Sequence, residues 1–234
     1  SPNSIVYNND VSFFVYVLYF SSSPDLMITN NTVVSGLMGG GPGSGGIDGI
    51  QGGNNGPGNS SGYWTTYGVY APYSSNSAFV SNTFDNSSNG IISHSGDSLT
   101  IEYNTIEINN VKGWQNKYGI QGSQNSYIAF NTFNAIFSNN FVENMVGIES
   151  HDSEIIGNDV NISGNENYNC SGIIANSSKI LDNILNVESI SNGASLRSYS
   201  SSENKSLISS NTINSDYCIM NVSNAEVVNN TLSF

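Results

Sequence analysis

Eight asparagines share one apolar frame. Asn31, Asn82, Asn104, Asn131, Asn158, Asn183, Asn211 and Asn230 each follow an apolar residue by three positions: Ile28, Phe79, Ile101, Ile128, Ile155, Ile180, Ile208 and Val227. Each also precedes one by two: Val33, Phe84, Ile106, Phe133, Val160, Leu185, Ile213 and Leu232. All sixteen flanking positions are apolar in a chain that is only 37% hydrophobic. The asparagines recur at roughly 25-residue spacing, with one step near double that, and such a period marks a solenoid in which each repeat is one coil. Gly68-Val69, Gly90-Ile91, Gly119-Ile120, Gly147-Ile148 and Gly172-Ile173 open most coils, at a short and nearly constant distance before the asparagine. Short apolar–polar alternations separated by Ser, Asn and Gly predict strands and turns throughout. The Val, Phe and Tyr content of 11–20 predicts a strand there too.

The asparagine is expected at a bend between two short strands, where it tolerates left-handed backbone and bonds nearby main chain. Stacked coils would line the eight amides into a ladder, each donating to one neighbour and accepting from the other. The flanking Ile, Phe, Val and Leu would stack inward as aliphatic columns. This pattern resembles the parallel β-helix repeat of the pectin-lyase-like superfamily, over nearly the whole chain. The resemblance implies an all-β, single-stranded, right-handed parallel β-helix of about eight coils. The reading is of one domain, 1–234, in the form of a rod on the order of 40 Å long.

Composition narrows the partners. Eighteen acidic and five basic residues leave a formal net charge of -13, yet only 10% of residues are charged. The surface is polar through 38 Asn and 41 Ser. Five dispersed cations cannot neutralise many phosphates, so nucleic acid is a poor partner. An acidic polysaccharide would be repelled unless metal ions bridge it. Calcium can bridge acidic subunits, but no Asp-rich motif with ligand spacing supports it, and no cofactor is expected. The apolar run 13–20 is too short to span a bilayer. Scarce Lys and an uncharged polar surface suit an extracellular, cell-surface protein.

Several features depart from the repeat. A glycine-rich and aromatic excursion, 35–67, separates the first two of these eight coils. It lacks the lysine and the helix of a phosphate-binding loop. It reads as a surface loop, or as a segment packed closely on a neighbour, since glycine permits close backbone approach. Tyr63, Trp64, Tyr67, Tyr70 and Tyr73 cluster beside it. Such aromatics pack locally, form interfaces or stack on sugar rings. His94 and His151 each lie four residues after a coil-opening glycine, with Ser123 at the place between them. They read as solvated turn residues ahead of metal ligands or acid–base groups. Cys170 and Cys218 are placed two coils apart, about 9.6 Å in an ideal stack. Internal pairing, intermolecular pairing and two thiols all stay open.

Three classes of function compete. Within the resembled superfamily, lyases use a basic residue with carboxylate-held calcium, and hydrolases use grouped aspartates with His-Gly and Arg-x-Lys patterns. The cations here are Lys112, Lys117, Lys179, Arg197 and Lys205, with Lys112, Lys117 and Lys205 expected in loops. Neither pattern occurs, and paired carboxylates facing a groove are not visible. The expectation is therefore no enzyme, with a polysaccharide lyase or hydrolase the weakest reading. A glycan-binding, adhesin-like module is the alternative. The favoured expectation is a structural protein resembling archaeal surface-layer or sheath proteins. Its coils would stack end to end with copies of itself, through Phe13, Phe14, Val15, Tyr16, Tyr63, Trp64, Tyr67, Leu232 and Phe234.

Overall fold

The computed structural model describes residues 3–13, 16–35, 67–85, 87, 89–109, 116–137, 144–164, 169–188, 194–200, 204–215 and 220–233. They form three parallel sheets of nine, nine and eight strands, and every strand pairs with its equivalents in the adjacent coils rather than with its chain neighbours. One full coil is typified by Thr100–Glu102 in the first sheet, Thr105–Asn109 in the second and Lys117–Gln124 in the third. The next coil repeats the order with Tyr127–Ala129, Thr132–Phe137 and Asn144–His151, in register Ile101 on Ile128, Ile106 on Phe133 and Ile120 on Ile148. The chain is thus a parallel β-helix.

The described residues trace nine coils, the ninth with strands in the first two sheets only, one more than the asparagine frame predicts. The additional coil is the first, and its ladder residue is Asn9, whose backbone nitrogen and Nδ2 both donate to Asn31 Oδ1 at 3.0 and 2.9 Å. Asn9 satisfies the frame as well, with Val6 before it and Val11 after it. The excursion 36–66 falls within the second coil, between Thr32–Ser35 and Tyr67–Tyr70, and lies outside the described residues.

From Asn31 to Asn211 the ladder side chains are at most 2% exposed. Each Oδ1 accepts from the backbone nitrogen and the Nδ2 of the preceding coil's asparagine. Asn104 gives both bonds to Asn131 Oδ1, at 3.0 and 2.9 Å. Each Nδ2 also reaches main-chain carbonyls, as Asn131 does to Ile101 and Ala129. The left-handed residue of the bend is not the ladder asparagine but the one before it: Asn30, Ser81, Tyr103, Phe130, Asp182, Ser210 and Asn229 have φ between 53° and 59°, and Gly157 has 63°. That division of labour leaves the ladder side chain free to point inward while its neighbour turns the corner.

A second buried ladder stands at the corner before the first sheet. Ser126 N donates to Ser153 Oγ, Ser153 N to Ser178 Oγ and Ser178 N to Ser206 Oγ, at 3.0 to 3.2 Å. Between the two ladders the core is three aliphatic columns, and Ile101, Ile106 and Ile120 show how one coil supplies one residue to each. The coil-opening glycines have a packing cause. A Cβ on Gly119 would lie 2.6 Å from both Gly147 O and Phe133 Cδ2, and one on Gly147 would lie 2.5 Å from Val160 Cγ1. The bare backbone of the third sheet therefore rests directly on the side chains of the second.

Candidate functional site on the outer face of the third sheet

Alternation along each third-sheet strand turns one residue per coil outward. Tyr19, Tyr70, Ile92, Gln121, Glu149, Ile174, Arg197 and Asn221 align across successive coils in one row, in which Ile92 is covered and only 3% exposed. At its head the Tyr19 and Tyr70 rings stack with centroids 5.6 Å apart and planes 24° apart. Tyr67 leans on Tyr70 at 5.0 Å. His94 meets Tyr70 and Tyr73 edge-on at 5.9 and 6.0 Å, and its Nε2 is 3.3 Å from the Tyr70 hydroxyl. Burial, followed by the neighbouring Tyr19 and Tyr73, raises the Tyr70 phenol above its ordinary value, so it remains a neutral hydroxyl. Tyr19 and Tyr73 are more than half exposed, so the cluster presents ring faces to solvent.

Polar groups take over farther along. Gln121 Nε2 donates to Glu149 Oε2 at 3.3 Å. The Tyr118 hydroxyl receives Asn116 Nδ2 at 3.4 Å, and the Glu149 carboxylate is near enough to act on it. Asn144 Nδ2 in turn donates to Asn116 Oδ1 at 2.8 Å. Burial is the main cause of a raised Tyr118 phenol, and the Glu149 charge adds to it. Tyr118 and Glu149 are distant in the chain, and only the coil register brings them together. On the underside of the same strand Lys117 is 1% exposed, aligned with Met145 and Cys170. Desolvation pushes its amine down to about 8. The loop position expected for Lys117 is corrected: it is a strand residue in an inward column.

His151 lies three coils from Tyr70 and accepts Asn176 N on Nδ1 at 3.2 Å, so it belongs to the corner backbone as His94 belongs to the tyrosine cluster. Among the described residues no three of His, Cys, Asp and Glu converge as metal ligands. An open depression of about 360 Å³ lies elsewhere, between Tyr127, Asp152 and Glu154. Its Glu154 pairs with Lys179 at 2.5 Å, both largely exposed, and nothing in it converges on a ligand. Cys170 is buried, while Cys218 lies outside the described residues, as do Phe14, Val15, Tyr63, Trp64 and Phe234. Phe13 and Tyr16 end and begin strands, and their side chains are not described. Tyr67 sits in the aromatic cluster, and Leu232 is 47% exposed on the ninth coil. Sequence reasoning missed the Tyr118–Glu149 pair and the serine ladder. The serines carry a signal, since Ser77, Ser126, Ser153, Ser178 and Ser206 each stand five residues before a ladder asparagine.

Among the described residues no helix is long and apolar enough to cross a membrane. No curated protein matches the sequence. Two solved structures share the fold. The periplasmic alginate epimerase AlgG aligns over 98% of this chain at 12% identity, with a TM-score of 0.47, and this chain spans 50% of its length. The A-module of the Azotobacter vinelandii mannuronan C-5 epimerase AlgE4 aligns over 96% at 11% identity, with a TM-score of 0.39, and 74% of its length is covered. Both are epimerases, so the expectation that this chain is not an enzyme does not stand, and at this identity and overlap the likeness assigns it no activity. The likeness is one of fold and transfers no residue or substrate. Residues 1–160 match the family described as the right-handed β-helix region, which also fixes the hand of the coil. The chain belongs to the right-handed β-helix family.

Proposed function

We propose that this chain is an exported β-helix module that binds a saccharide chain along the outer row of its third sheet. The observation that carries the reading is the Tyr19–Tyr70 stack, with Gln121 and Glu149 in the same register beyond the covered Ile92. Aromatic faces give a sugar ring an apolar platform, and the hydrogen-bonding groups beyond them take its hydroxyls. A linear glycan needs such a strip, because its residues repeat along a line as the coils do. Tyr118 and Glu149 sit where the hydroxyl and carboxylate can orient a bound sugar. The ligand favoured is neutral and hydroxyl-rich, since a net charge of -13 and the Glu149 carboxylate repel polyanions. Export and display at the cell surface are part of this proposal. The test is a glycan array probed with the wild type, Tyr19→Ala and Tyr70→Ala. Retention on neutral glycans that both variants lose supports the proposal, and retention unchanged in both variants overturns it. Incubating retained glycans with the protein and following bond cleavage or epimerisation then asks for turnover.

A second reading is end-to-end stacking of copies. It rests on the direction of the ladder, in which every coil donates forward to the next Oδ1, so that Asn9 Oδ1 and Asn230 N stand at opposite ends of one polarity. A further coil, from additional sequence or from another copy, fits head to tail. Electron microscopy of wild type and Leu232→Asp tests it: filaments lost in the variant support stacking, and dispersed wild-type rods oppose it.

A further inference from the structure

The outer face of the second sheet carries a row that neither reading uses. Asn134 Nδ2 donates to Glu107 Oε1 at 2.8 Å, Asn161 to Asn134 Oδ1 at 2.9 Å, Asn186 to Asn161 and Asn214 to Asn186 at 2.6 Å, and Ser233 to Asn214. Each link uses one donor and one acceptor lone pair, and an amide owns two of each; Asn161 gives its second N–H to Asp159 Oδ1 at 3.0 Å. Beside this row runs a second outward column: Asp10, Thr32, Thr83, Thr105, Thr132, Asp159, Ile184, Thr212 and Thr231. Ile136, at the middle coil of the same face, is 56% exposed. The outward carboxylates of these two columns are Asp10, Asp85, Glu107 and Asp159, all in the first six coils. No Lys, Arg or His stands in either column among the described residues.

We propose that this face is a contact surface for a second copy of the chain, packed face to face with its coil axis reversed. A two-fold axis along the strands at the fifth coil sets coil one over coil nine, two over eight, three over seven and four over six. Asp85 then faces Asn186, an acceptor-only carboxylate against an amide with a second N–H, while Glu107 faces Asn161, whose N–H groups go to Asn134 and Asp159. In the neighbouring column Asp10 faces Thr231 and Asp159 faces Thr105. No carboxylate in either column faces another. On the axis Thr132, Asn134 and Ile136 each face their own copy, and the exposed Ile136 side chains cover each other. The arrangement is isologous and closes at a dimer. A parallel dimer would instead bring both copies' Asp85 and Glu107 to the same height, concentrating the negative charge.

Nine coils span roughly 38 Å, and a strand width of roughly 12 Å gives about 450 Å² a side, under the ~800 Å² of a standard interface. Weak association follows, to be measured at millimolar protein by sedimentation equilibrium. The wild type should dimerise, and Asn134→Lys, which sets two like charges on the axis, should weaken the dimer by about tenfold or more. Orientation is read in a Cys218→Ser background with a short bismaleimide. Asn134→Cys should cross-link to itself far faster than Thr100→Cys on the first sheet. The pair Asp85→Cys with Asn186→Cys, one on each copy, should also link. Circular dichroism confirms that each variant is folded, and Glu107→Gln, which keeps the shape of the row, should still dimerise. A monomer at every concentration, an unaffected Asn134→Lys, or equal linking at Thr100→Cys would overturn the proposal. None of these results bears on sugar binding by the third sheet.

Discussion

Asn131 bridges to Asn158 twice, its backbone nitrogen and its Nδ2 both lying 3.0 Å from the same Oδ1. Asn104 makes the same pair of bonds to Asn131. Truncating Asn131 to alanine would leave the Asn104 nitrogens and the Ile101 and Ala129 carbonyls without this partner in a buried corner. Each orphaned group costs about 1–3 kcal/mol, so Asn131→Ala should lower stability by at least about 3 kcal/mol in denaturant unfolding. Asn230→Ala, on the more exposed ninth coil, should cost clearly less.

Gly119 and Gly147 face each other across one coil step with no room for a methyl group. In an ordinary strand Gly→Ala stabilises the fold, because the unfolded chain loses freedom. Here Gly119→Ala should destabilise by about 1–3 kcal/mol through overpacking against Phe133 and the Gly147 carbonyl. Thermal melts of Gly119→Ala and of Gly119→Ala with Phe133→Leu check the cause, since the smaller partner should recover part of the loss.

Lys117 gives a pH signature. Burial lowers its folded value to about 8 from the ordinary 10.5, so between these the unfolded chain binds more protons than the folded one. Stability contributed by this group is therefore weakest below pH 8 and rises with pH through the window. The full shift corresponds to at most about 3 kcal/mol. Urea midpoints taken from pH 7 to about 9.5, before most tyrosines ionise, should rise relative to Lys117→Met, whose difference from wild type should shrink as pH increases. A constant difference would contradict the buried position.

Tyr118 reports on Glu149. Burial first, and then the nearby Glu149 charge, hold the phenol above its ordinary range. Glu149→Gln should move one tyrosine of the ultraviolet titration to lower pH, and Tyr118→Phe should remove that tyrosine. Glu188→Gln, remote from the row, should do neither.

The fold was legible because its repeat is written in residue types. The Ile-x-x-Asn-x-Ile frame specifies two inward columns and the ladder between them, and even Asn9 carries it. The excursion and the coil-opening glycines were legible as positions, but the reason for the glycines was not. Their close approach to Phe133 and Val160 exists only once the second and third sheets meet. Lys117 reads as a loop lysine because Gly113, Gln115 and Asn116 precede it, yet the coil register places it under the strand with Met145. The candidate site was the least legible. Tyr19 and Tyr70 are separated by the excursion, and Tyr118 and Glu149 by a full coil and a loop. Local spacing cannot reveal neighbours whose contact is set by loops of variable length.

Saccharide binding by the third sheet's outer row is open to direct measurement. Isothermal titration of the neutral oligosaccharide best retained on the array tests it most directly, in wild type and Tyr70→Ala. Saturable binding that weakens about fivefold or more in Tyr70→Ala, the equivalent of about 1 kcal/mol of lost ring contact, is the predicted result. Equal affinity in the two proteins, or no binding heat with any neutral oligosaccharide, would contradict it.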